Sequence, residues 1–168
     1  MGKFVNISGP VVGTTVYSGN VLVARDTAIT LPEVTPVSAE LQAMGTFSLP
    51  IWSLFENMEA AITKIGIDEG LTSLITPDMK PLEFRWVQTK TDASGATRNV
   101  GCKAFIKGIP SKIPSFGLEV GSASEGEVTI TVTRYQLVVD GIESFLIDRL
   151  ASIVRINGKD YSHIDSML

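Results

Sequence analysis

The sequence predicts a mainly β protein, a two-sheet antiparallel β-barrel or sandwich with one short α-helix and two long loop segments. Three observations carry this. Val128, Ile130 and Val132 alternate with Thr129, Thr131 and Thr133, the period-two pattern of a half-buried strand. Turn signals such as Asp92-Ala93-Ser94-Gly95 and Asp140-Gly141 separate runs of β-branched and aromatic residues. A capped helical pattern is short, following Asp68 and stopping before Pro77.

In chain order, Thr14 to Leu31 is rich in Thr, Val, Tyr and Ile and broken by Ser18-Gly19-Asn20, which reads as two short strands meeting at a turn. Pro32 and Pro36 each push the preceding residue out of the helical region, so 32–56 reads as an extended arm. A connection that long counts either against the element assignment or for a function in the segment itself. Segment 51–65 reads two ways. Ile51, Leu54, Phe55, Met58, Ile62 and Ile65 fall at helical spacing, whereas Met58, Ala60 and Ile62 alternate with Glu59, Ala61 and Thr63 as in a strand over 57–65. Asp68 ahead of Leu71, Leu74 and Ile75 caps the short helix.

The second half is plainer. Runs 82–90 and 98–108 are strands joined by the Asp92–Gly95 connection. Residues 109–126, with Pro110, Pro114, Gly117, Gly121 and Gly126, form a second long loop. The alternation at 128 continues through Tyr135 and Leu137 to Asp140-Gly141, and 144–147 returns as its partner. A last extended piece, 153–156, reaches Asn157-Gly158, and 158–168 is a polar tail. The whole of 1–168 reads as one domain without repeats.

Composition narrows the function. The formal net charge is −4, hydrophobic residues make up 44% and charged residues 19%, below the roughly 25% of an ordinary soluble protein. So few charges imply that part of the surface is covered by something else. An acidic balance without basic clusters argues against a nucleic-acid-gripping module, which needs Lys and Arg massed on one face. No apolar run reaches the ~18 residues of a membrane span, and the N-terminus lacks an apolar stretch after Lys3, so a cytoplasmic, soluble product without membrane insertion is expected. Asn6-Ile7-Ser8 is then a chance match to a glycosylation acceptor.

Catalytic chemistry finds little material. His163 lies in the tail beside Asp160 and Asp165 and reads as a surface histidine. Cys102, the single cysteine, lies within an expected strand with only Lys103 beside it and reads as a small buried packing residue; it excludes any disulfide within the chain. The Gly117–Gly126 region has no Gly-Lys-Ser/Thr and precedes a strand, so it does not cradle phosphate. Glu125/Glu127 and Glu143/Asp148 are spaced like solvated strand faces. The expectation is no enzyme, no cofactor and no metal. What remains, a β-rich chain with long arms, favours assembly, because strands contributed by several subunits can close into one barrel and leave no edge.

Several stretches carry a family resemblance. Tyr135-Gln136-Leu137-Val138-Val139-Asp140-Gly141, then Glu143 and Ile147-Asp148, then Ile156-Asn157-Gly158-Lys159-Asp160, together with Thr30-Leu31-Pro32-Glu33-Val34, resemble the major tail tube proteins of contractile-tailed bacteriophages, a family that also forms the inner tube of R-type pyocins. Gly45 is the only glycine between 39 and 49, where the family often has a Gly-rich arm. The resemblance implies a structural subunit of the tail inner tube, a homo-oligomer of hexameric rings stacked inside a contractile sheath. It implies sheath, baseplate or tail-initiator, and terminator proteins as partners, and a place in the virion after assembly in the host cytoplasm. It also resolves 57–65 as a strand and assigns 21–31, 57–65, 100–108 and 127–139 to the sheet lining the channel.

On that assignment Glu59, Thr63, Glu127, Thr129, Thr131 and Thr133 face the lumen, while Met58, Ala60, Ile62, Val128, Ile130 and Val132 face the core. The arm, with Glu33, Val34, Leu41, Met44 and Phe47, is expected to bridge stacked rings. DNA must pass through such a tube without specific binding, and a neutral-to-acidic wall repels phosphate weakly within about 10 Å at 0.1 M salt. Which way Lys103 and Lys107 point is left open. The competing reading is a small-ligand-binding β-barrel, which needs one closed chain around an apolar cavity; a headless bacteriocin-like particle is the alternative within the family.

Overall fold

The computed structural model describes residues 6–162 and 166–168, so His163 and Asp165 lie outside the described residues. Strand β1 (Ile7–Ser18) turns at Gly19, φ +64°, into β2 (Val21–Arg25), forming the expected first hairpin. A short β3 (Ile29–Thr30) precedes β4 (Pro36–Gln42) and β5 (Thr46–Phe55), then β6 (Met58–Ile65). Helix α1 (Glu69–Ile75) follows. The second half runs β7 (Lys80–Thr91), β8 (Thr97–Pro110), β9 (Glu125–Val139), β10 (Ile142–Asp148), β11 (Ile153–Ile156) and β12 (Lys159–Asp160).

The main sheet has the order β12-β11-β10-β9-β8-β7-β1-β2, with β6 branching from β9 and β3 from β6. β9 makes the branch because it is long enough to serve two partners along one edge. Its residues 125–132 pair with β6 and 134–139 with β10, while β8 runs along the opposite edge. All these pairings are antiparallel. The sheet wraps a core in which Val16, Met58, Ala60, Ile62, Phe84, Ala104, Val128 and Ile130 are completely buried. Among the described residues nothing closes it into a barrel: the ordered path ends at β2 and β12, and both are edges. The barrel expectation therefore fails within one chain, and with it the enclosed pouch that a small-ligand barrel requires.

Helix α1 caps one side of this core. Asp68 is the N-cap, its Oδ1 accepting from the Leu71 backbone N–H at 3.1 Å, and Leu71 and Leu74 are buried against the sheet. Gly70 sits where a Cβ would meet the Val23 carbonyl oxygen at 2.5 Å, so only glycine lets the helix approach β2 this closely.

Four readings of the sequence change. The helical reading of 51–65 is overturned, because Met58, Ala60, Ile62 and Lys64 are buried while Glu59 and Ile65 are exposed, a period of two. The arm is itself folded: β4 and β5 form a separate two-stranded sheet around a turn with Met44 at φ +52° and Gly45 at φ +117°. Proline is admissible at Pro36 and Pro50 because both strands of a two-stranded sheet are edges. The long loop likewise shortens to 111–124, since β8 extends through Pro110 and β9 begins at Glu125. The expected tail begins with β12, paired through Arg155–Asp160 and Ile156–Lys159.

Candidate assembly surfaces

The β6–β9 ladder runs from Met58 opposite Val132 to Ile65 opposite Glu125 without a register break. Residues directly opposite share a face. On the core face Met58, Ala60 and Ile62 meet Val132, Ile130 and Val128, each 0–1% exposed. The outward face pairs Glu59 with Thr131, Ala61 with Thr129, and Thr63 with Glu127, and Ile109 of β8 lies beside Thr131. Five of the six residues singled out from sequence thus share one outward surface. Lys112 reaches it from the loop, its Nζ 3.9 Å from Glu127.

Thr133 is placed differently. Between the pairs Lys107–Arg134 and Gly108–Val132 the register shifts, leaving Thr133 as the extra residue of a β-bulge. Its hydroxyl donates to the Lys107 carbonyl at 3.3 Å and its own carbonyl accepts from the Arg149 N–H at 2.9 Å. The bulge inverts the alternation, so that Tyr135 is buried while Arg134 and Gln136 take the other face. Gly108 is obligatory here, since a Cβ would stand 2.5 Å from both Ile130 Cγ2 and the Thr131 carbonyl oxygen.

Beyond the bulge the outward surface changes sign. Arg25, Thr15, Arg85 and Lys103 form one cross-strand row over β2, β1, β7 and β8. The next row is Leu22, Tyr17, Glu83, Phe105 and Gln136, and the one after holds Lys107 and Arg134. Arg85 lies over the Tyr17 ring, 4.3 Å from its centroid, and binds Glu83 at 2.6 and 3.0 Å. That guanidinium holds the Glu83 carboxyl below the usual carboxylate range. A concavity of about 420 Å³ opens on this surface, lined in part by Thr15, Tyr17, Arg25, Arg85, Trp86 and Lys103. Lys103 and Lys107 therefore lie outward on the basic side, a placement that depends on the tertiary register and is invisible in the sequence.

The β4–β5 hairpin projects from the body. Its register puts Val37, Ala39 and Leu41 against Ile51, Leu49 and Phe47 on one face, and Ser38, Glu40 and Gln42 against Pro50, Ser48 and Thr46 on the other. Leu41, Phe47 and Leu49 are 40–45% exposed and Met44 at the tip is fully exposed. The foot is fixed: Phe55 is buried, the Arg149 guanidinium donates to its carbonyl at 3.0 Å, and the Glu56 N–H donates to the Thr35 carbonyl at 2.9 Å. Val34 packs on the core and Glu33 lies beside the Thr35 hydroxyl, so these two belong to the foot, whereas Leu41, Met44 and Phe47 belong to the projecting part.

Cys102 is a buried free thiol, its pKa raised by burial, in keeping with a packing role. Among the described residues no group of three or more His, Cys, Asp or Glu is placed to hold a metal, and no helix is long and apolar enough to cross a membrane.

Open sheet edges and a projecting hairpin with an exposed apolar face are features suited to assembly. The chain belongs to the phage tail tube protein FII family, which it matches over residues 12–163, and it is a structural subunit of a tail inner tube. Solved tube-complex chains share its fold. A chain of the PVC sheath-tube complex of an extracellular contractile injection system, in the extended state, superposes with a TM-score of 0.54 at 13% identity, covering 77% of this chain and 90% of that one. A chain of the PVC sheath/tube terminator in the extended state gives 0.54 at 16% identity, covering 79% and 97%. No curated protein matches the sequence.

Proposed function

We propose that copies of this subunit close into hexameric rings, that the rings stack into a hollow tube within a contractile sheath, and that DNA crosses the tube without being bound. The carrying observation is the outward β6–β9 surface, where Glu59, Ala61, Thr63, Glu127, Thr129 and Thr131 present hydroxyls, carboxylates and a methyl, and where the one cation that reaches in among the described residues, Lys112, stands 3.9 Å from the Glu127 carboxylate. A wall of that kind, with two carboxylates against one already paired ammonium, has little to neutralise phosphates with and so adds little friction. Thr133, in the bulge, borders this lining.

The sheet ends explain closure. β3 covers only two residues of β6, and β2 and β12 each leave one edge open, so strands of an adjacent copy can extend the sheet around a ring. The arm explains stacking: an isolated hairpin with an exposed apolar face is marginal in water and gains stability by packing against another surface. The foot carrying Glu33 and Val34 stays with the body, while Leu41, Met44 and Phe47 reach the next ring. Sheath, terminator and baseplate or initiator proteins then meet the tube at its outside and ends, in a virion assembled in the host cytoplasm. Negative-stain microscopy of the pure protein tests the core of this reading, since rings or tubes are expected and dispersed monomers at high concentration overturn it. Capsids on native particles separate a phage tail from a headless bacteriocin-like one.

A further inference from the structure

We infer that the basic surface over β1, β7 and β8 is the seat for the polar, Glu40-bearing face of another copy's β4–β5 arm. This rests on the reading that the arm bridges copies, and it names where the arm lands. Charge is partitioned along the chain. Between Arg25 and Lys64 there is no Lys or Arg, and the arm segment 32–56 carries Glu33, Glu40 and Glu56 as its only charges. Glu40 stands on the polar face of the hairpin beside Ser38 and Ser48, opposite in direction to the apolar face of Leu41 and Phe47.

The body offers two kinds of outward sheet surface. The β6–β9 side carries Glu59 and Glu127 against Lys112 alone, a net negative surface that disfavours a further carboxylate. Past the bulge, Arg25, Arg85, Lys103, Lys107 and Arg134 outnumber the carboxylates they pair with, Asp26, Glu83 and Asp148. The surplus of cations, the Tyr17 and Phe105 rings between the rows and the 420 Å³ recess suit a narrow, acid-bearing, partly apolar strand pair. An arm laid between two copies is covered on both faces, the apolar one by packing and the polar one by hydrogen bonds and the Glu40 ion pair. The arrangement also hides from DNA the cations that a passing duplex would otherwise contact.

The test is charge reversal on the full-length protein, with tube growth followed by light scattering and microscopy. Glu40→Lys, Lys103→Glu and Lys107→Glu are each expected to slow growth at least tenfold while the far-ultraviolet circular dichroism stays native. Combining Glu40→Lys with Lys103→Glu or Lys107→Glu is expected to restore growth to within about threefold of wild type, the pairing having been inverted. Raising salt from about 0.05 to about 0.5 M should slow the wild type, because exposed pairs are screened. Single reversals that grow normally, or a combination that stays as slow as its slower parent, overturn the assignment. Replacing the arm by a linker separates the two levels: if tubes still grow, the arm does not bridge copies; if growth stops while the reversals are silent, the arm bridges but its seat lies elsewhere.

Discussion

Lys64, buried on the core face of β6, binds Asp68 at 3.0 Å, and Asp68 is the residue that caps α1. One carboxylate thus satisfies a buried ammonium and a helix N-terminus at once. At the other end of the helix, the buried Lys80 ammonium donates to the Ser73 carbonyl. The two lysines, from β6 and β7, pin the helix to the sheet, with the second complementing the negative end of its dipole.

The Lys64 hydrogen bond is the main cause that lowers the Asp68 pKa from 3.8. A carboxyl depressed in the folded state contributes stability above its unfolded pKa and loses it as pH falls through the folded one. Thermal unfolding should therefore show wild type losing stability below pH 4, and Asp68→Asn, which keeps a cap but no charge, losing less over the same interval. Asp68→Ala should cost about 2 kcal/mol at pH 7 by removing the cap and leaving Lys64 unpaired. Equal acid sensitivity of wild type and Asp68→Asn would remove the pair from the account.

Gly108→Ala should destabilise the subunit by about 3 kcal/mol, because its Cβ would overlap the Thr131 carbonyl and Ile130 at the bulge. Gly101→Ala in the same strand, with open space around it, is the control and should change the melting temperature little. A mild effect at Gly108 would mean that the bulge can move.

Thr129→Arg with Thr131→Arg places two guanidiniums on the outward β6–β9 surface. Tubes should still form, and DNA delivery by particles carrying the double variant should slow, since each captured phosphate adds affinity. Unchanged delivery refutes the lumen assignment.

Deleting 38–51 and rejoining the chain with a short Gly-Ser linker removes the projecting hairpin but keeps Phe55 and Val34 in place. The product should remain a folded monomer with native circular dichroism and a melting temperature within a few degrees of wild type, and it should form no tubes. Normal tube growth would show that the arm is dispensable.

What was legible in the sequence was whatever depends on neighbours along the chain. The 128–132 alternation, the Ser18-Gly19-Asn20 and Asp140-Gly141 turns and the Asp68 cap are each written within a few residues, and all appear as expected. Even the split between buried and outward residues on β6, and on β9 as far as Val132, follows from the two-residue repeat of a strand. That the extended arm folds back on itself as a strand pair was not legible, because only pairing across the Met44-Gly45 turn shows that Pro36 and Pro50 are harmless at an edge.

The tertiary structure alone decided the rest. A single extra residue at Thr133 inverts every side chain after it, yet its cause lies in the opposing strand, where Gly108 admits the bulge. Arg25, Arg85 and Lys103 are far apart in the chain and become one row through strand register, which no local pattern encodes. Side-chain direction is a property of the strand itself; which strands become neighbours, and with what offset, is set by the packing of the whole core.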